Sequence, residues 1–148
     1  MARVWLLVAS AAAQLYLLGA MLLMHRAVYA PFAALSREAF AQAYSGFGAR
    51  IGAVYVAPEF IAFGLPLALF VWAPPALPRW VAWAAALLGA AYFAITFAWH
   101  LPVHRALASG DNSPAVIEAL LRSHGARTLV HAARTALLTW AVVAARAV

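Results

Sequence analysis

The 148-residue chain contains no cysteine and no lysine, and its acidic residues number four: Glu38, Glu59, Asp111 and Glu118. Without cysteine there are no disulfides, thiolate metal ligands or iron–sulfur clusters. Charged residues make up 9% of the chain and apolar residues 68%, against roughly 25% and 45–50% in an ordinary globular protein. A domain of this size has no interior large enough to hide that much apolar surface, so a water-soluble monomer is excluded. All ten basic residues are arginine, and the net charge is +6. In a chain so poor in polar residues this excess suits anionic lipid headgroups and not nucleic acid.

In place of charge there are long apolar runs. Four stretches, 4–24, 51–71, 80–99 and 128–145, reach the ~20 residues that a helix needs to cross a bilayer. In lipid the backbone must satisfy its own hydrogen bonds, which makes each run a helix. The sequence therefore predicts an all-α protein: one integral membrane domain over residues 1–148, a four-helix transmembrane bundle. Two long loops or interfacial helices, 25–50 and 105–127, lie on one membrane face. The first run is longer than the ~7–15 apolar residues of a signal peptide and is read as a retained helix. Prolines 74, 75 and 78 make a stiff turn between the second and third runs. Ser36 reads as the cap of a helix through Tyr44, and Ser113-Pro114 as the start of a helix that runs on into the last span.

Alternating the spans puts both termini on one face, with Arg3, Arg79 and Arg146, and all five histidines toward the other. His124, Arg127, His131 and Arg134 are spaced three, four and three, a single stripe on one helix. A charge inside a membrane helix costs ~2.5–3.5 kcal/mol on insertion scales, so this stripe must face the bundle interior or a wet cavity. The third span offers Tyr92, Thr96, His100 and His104 at steps of four, the second Tyr55 and Glu59, the first Gln14, Met21 and His25. Glu59 and Arg134 are the formal charges expected within the spans, at similar depths, and a Glu59–Arg134 contact is expected to relieve both.

Three chemistries fit these stripes. His100 and His104, one helical turn apart, have the spacing of two ligands to one non-haem metal ion, although Pro102 between them is expected to end the helix. His100 with His131 could hold a b-type haem between helices. The third is acid–base or oxygen chemistry on a lipophilic substrate, with His131 or His100 as catalytic base and Arg134 and Arg127 stabilising a phenolate or enolate. Its binding residues would be His25, Tyr55, Glu59, Tyr92, Trp99, His104, His124 and Arg127. Beside these stands a non-catalytic accessory role, in which the stripes meet partner membrane subunits or further copies of the chain. Trp5, Trp72, Trp80 and Trp140 fall at span ends on the terminal face, as an interfacial belt.

The stretch Trp99-His-Leu-Pro-Val-His-Arg-Ala-Leu-Ala-Ser-Gly110, followed by Leu120-Leu-Arg-Ser-His-Gly-Ala-Arg-Thr128, resembles small bacterial four-helix membrane proteins similar to the anthrone oxygenase-like family. The resemblance rests on Pro102, His104, Leu107, Gly110, His124, Arg127 and Thr128, with Val28-Tyr29-Ala-Pro-Phe32 and Pro58-Glu59. Gly125-Ala126 stand where that pattern has an aromatic residue or Asn. It implies a four-helix fold in a bacterial cytoplasmic membrane and oxygenation of polycyclic anthrone-like molecules.

Overall fold

The computed structural model describes residues 1–146, with the side chains of Ala53 and Arg146 excepted, so the expected place of Arg146 lies outside the described residues. The protein is an all-α bundle. Helix α1 (Ala2–Ala34) is followed by α2 (Arg37–Tyr44) and the short α3 (Phe47–Ile51). Helix α4 (Val54–Trp72), α5 (Arg79–Ala108) and α6 (Pro114–Arg146) complete the chain. Four of these, α1, α4, α5 and α6, are long and apolar enough to cross a membrane. Helix α6 is central and packs against both α1 and α5, while α4 closes the bundle against α1 and α5.

The caps behave as their chemistry requires. Ser36 accepts the Ala39 amide at the start of α2, and Asp111 accepts the Ser113 amide in the turn that leads into α6. The Ser113 hydrogen bonds hold the Asp111 carboxyl below its ordinary range. Gly110 supplies the left-handed turn there with φ of 87°.

Two expected helix ends are corrected. The first span continues past residue 24 to Ala34, and the third passes through Pro102 to Ala108. Proline within a helix removes one amide donor and crowds the carbonyl four residues earlier. The chain absorbs this by widening a turn instead of ending it. The wide turns Met24–Tyr29, Gly52–Val56 and Thr96–His100 contain Ala27, Val54 and Ala98. Those are the carbonyls four residues before Pro31, Pro58 and Pro102. All three wide turns lie at the same end of the bundle. Pro66 leaves the Ala62 carbonyl without its helical donor, and the Gln14 side-chain amide of α1 supplies one.

The two ends of the bundle differ in kind. Near the termini Leu7, Ala11, Leu69, Val81, Ala85, Leu138 and Ala141 form a tight core of small and branched side chains. At the other end the buried set is aromatic and polar: Tyr29, Phe32, Phe40, Phe47, Tyr55 and Tyr92 surround buried histidines and arginines. Helices α2 and α3 fold over this end, and Phe32 meets Phe40 edge to face at 5.2 Å. Trp5, Trp72, Trp80, Trp83 and Trp140 all present large areas outward, with Trp80 and Trp140 5.6 Å apart.

Candidate functional site

At the polar end the wide turns of α4 and α5, with residues of α1, α2, α3 and α6, line an open cavity of 430 Å³. Its walls include Tyr29, Tyr55, Glu59, His100, His104 and Arg127. This lies within the ~300–1,000 Å³ of small-molecule sites. A larger hollow of 520 Å³ around residues 74–78 at the opposite end is lined by apolar side chains and prolines, with Arg79 its one charged group.

The deepest polar unit is an ion pair with a shared tyrosine. Arg127 Nη2 donates to Glu59 Oε1 at 2.7 Å and also to the Tyr92 hydroxyl, which itself donates to the same carboxylate oxygen. The Arg127 guanidinium lies over the Tyr92 ring, 4.6 Å from its centre. The expected Glu59–Arg134 contact is therefore replaced by Glu59–Arg127. The reason is that the bundle interior begins before residue 128, where the expected span starts: Ser123, His124 and Arg127 are already buried, so Arg127 stands level with Glu59. Arg134 lies two turns, about 10 Å, further along the same face.

Four histidines meet above this pair. His100 and His104 have ring centres 4.5 Å apart, His100 and His124 5.6 Å, and His25 stacks on His124 at 5.8 Å. The Nε2 atoms of His100 and His104 are 3.1 Å apart. His100 Nδ1 meets the Ser123 hydroxyl at 2.9 Å, and His104 Nδ1 meets the Tyr44 hydroxyl at 2.7 Å. The Tyr29 hydroxyl sits 3.2 Å from His104 Nε2. Burial pushes the Tyr44 phenol up to about 12, so it stays protonated. Its O–H donates to the His104 carbonyl at 3.3 Å and its oxygen accepts from His104 Nδ1–H, which leaves Nε2 as the basic nitrogen. Two imidazole nitrogens at this separation suit one ion, as metal–nitrogen bonds are about 2.0–2.1 Å. Among the described residues no three His, Cys, Asp or Glu side chains are grouped to hold one.

The other expected site residues are placed differently. His124 donates through Nε2 to the Met21 carbonyl at 2.9 Å, and His131 donates through Nε2 to the Gln14 carbonyl at 3.0 Å. These two tie α6 to α1. His131 is therefore turned away from His100, and the pair expected for haem does not converge. Trp99 is 42% exposed on the outer surface and is not part of the cavity wall. Tyr55 lines the cavity, and its buried hydroxyl has no partner among the described residues. Residue-type patterns missed Tyr44 and Ser123, which orient the two histidines, and placed Tyr29 only within the family resemblance. Ser123 carried a signal, since it immediately precedes the first residue of the α6 stripe.

No protein-family model, curated protein or solved structure matches the chain.

Proposed function

We propose that this protein resides in a bacterial cytoplasmic membrane, binds a lipophilic aromatic or quinone-like molecule in the polar cavity, and converts it oxidatively. The observation that carries the reading is the make-up of that one cavity. Aromatic walls (Tyr29, Phe47, Tyr55) meet an imidazole pair and a buried Arg–Glu pair inside a volume suited to a fused-ring molecule. His131 and Arg134 lie outside it, so acid–base work falls to His100 and His104 and charge stabilisation to Arg127. His104, oriented by Tyr44, takes a proton from an acidic ring carbon or hydroxyl. Arg127 and the unpartnered Tyr55 hydroxyl hold the resulting oxyanion. Such an electron-rich anion is open to dioxygen, with a ring CH2 and O2 going to C=O and water. The resemblance to anthrone oxygenase-like proteins points to the same class of ring.

The test is calorimetric titration of the detergent-purified protein with anthrone, coupled to an oxygen electrode. Binding is expected at one molecule per chain. Tyr55→Phe and Arg127→Met are each expected to weaken it at least tenfold, and His104→Ala to abolish oxygen uptake while leaving binding. Undiminished binding in both Tyr55→Phe and Arg127→Met would overturn the placement. A chain that binds no such ring but co-purifies with fixed partner subunits belongs to the accessory class.

A further inference from the structure

A second feature lies on the lipid side of the bundle, deeper than the cavity. Arg134 is 1% exposed, and its Nε and Nη1 atoms are buried with no hydrogen-bond partner among the described residues. Glu59 is the one buried acid among the described residues, and Arg127 and Tyr92 already occupy it. What Arg134 does have is the Phe63 ring, 4.4 Å from the guanidinium carbon. It also has Gly89, where a Cβ would come within 3.4 Å of that carbon and 3.0 Å of Phe63. The absence of a side chain at Gly89 thus lets the cation lie against α5. A cation–π contact leaves most of a buried guanidinium's hydrogen-bonding capacity unused.

This cation lines a groove of 370 Å³ between α4 and α5, whose walls are Phe60, Phe63, Gly64, Gly89 and Phe93 with neighbouring aliphatic residues. The groove opens outward, where Phe60 is 64% and Leu67 53% exposed. Nothing lies within 4 Å of the position a Cβ would take at Gly64. Gly89 stands about 15 Å along α5 from Arg79, half of a ~30 Å hydrocarbon layer. At that depth an occupant arrives from lipid, is apolar along its body, and carries one anionic group. A carboxylic acid reaches this depth by entering the hydrocarbon core in its neutral form, whereas a phospholipid phosphate stays charged and held at headgroup level.

We propose that this groove is a binding site for a long-chain carboxylate, a fatty acid anion drawn from the bilayer. Its carboxylate rests on Arg134 and its chain lies between α4 and α5. The site is separate from the polar cavity, and neither requires the other.

The test is native mass spectrometry of detergent-purified protein loaded with palmitate, alongside competition by methyl palmitate, which has the same chain and no charge. One palmitate per chain is expected. The methyl ester should bind at least tenfold more weakly. Arg134→Met should lose palmitate, and Gly64→Leu, which fills the groove without touching the cation, should lose it too. Thermal unfolding of each variant shows that it is folded, and Gly64→Leu leaves anthrone binding in the polar cavity unchanged. Equal binding of acid and ester, retention of palmitate by Arg134→Met or by Gly64→Leu, or displacement of palmitate by chloride alone would each overturn the proposal. Loss of anthrone binding with palmitate binding intact would strike only the cavity.

Discussion

A buried charge in this protein is defined by what touches it. Arg127 has a carboxylate, a phenol and an aromatic face, whereas Arg134, seven residues along the same helix, has an aromatic face alone. Removing one member of a buried ion pair strands the other and typically costs about 3–5 kcal/mol, while replacing both with apolar residues is often nearly neutral. Glu59→Leu and Arg127→Met are therefore each expected to destabilise the protein by about that amount, and the double variant by much less. Thermal unfolding in detergent across the four proteins measures the coupling; equal, additive losses would show that the pair carries no interaction energy. The sequence marks these residues as a set, but the pair that forms is Glu59–Arg127 and not the expected Glu59–Arg134. The spacing of His124, Arg127, His131 and Arg134 places one stripe on one face, which the structure has. It does not say at which residue of that helix the bundle interior begins, and that offset decides which arginine stands level with Glu59. Tyr44 was illegible as a site residue for a different reason. Its role depends on where a folded-over helix brings it against His104, which no local pattern encodes.

Proline does the shaping at the level of the helices. Pro31, Pro58 and Pro102 fall just after or at the edge of the wide turns around the polar end, and widening a helix there opens the space that the cavity fills. Read as punctuation, Pro102 signals a helix end; in lipid a helix cannot stop without leaving amides and carbonyls unpaired, so the chain distorts and continues. The spans themselves were legible because length and hydropathy decide them, and the Ser36 and Ser113-Pro114 starts because capping is local. Pro66 gives the clearest energetic test. It denies the Ala62 carbonyl a helical donor, and Gln14 from α1 takes that place. Gln14→Leu leaves a buried carbonyl unpaired and is expected to cost about 1–3 kcal/mol. Adding Pro66→Ala restores an amide donor four residues on, so the double variant Gln14→Leu/Pro66→Ala should recover much of that loss. Thermal melts of the two variants decide it: a double variant as unstable as Gln14→Leu alone would mean that the side chain matters for its packing and not for this bond.

The whole molecule is polar at one end and dry at the other, and this asymmetry bears on its orientation. Arg127 is consumed within the bundle, yet Arg26, Arg37, Arg50, Arg105 and Arg122 remain exposed around the polar end, against Arg3 and Arg79 at the other. Acidic residues weigh little in the rule that basic loops stay in the cytoplasm, so Glu38, Asp111 and Glu118 do not offset these arginines. The polar end, with the cavity, is expected to face the cytoplasm. The lack of cysteine makes the native chain a blank background for testing this. Single cysteines at the exposed positions Ser45 and Ser109 mark the polar end, and those at Ala2 and Pro75 mark the terminal end. With a membrane-impermeant maleimide, Ser45→Cys and Ser109→Cys should label in inside-out vesicles and stay protected in right-side-out ones, with Ala2→Cys and Pro75→Cys the reverse. Labelling of Ser45→Cys and Ser109→Cys from opposite sides would refute the four-span topology itself. Joint labelling of that pair from outside would keep the topology and place the cavity on the far face, where its ligand would have to arrive from outside the cell.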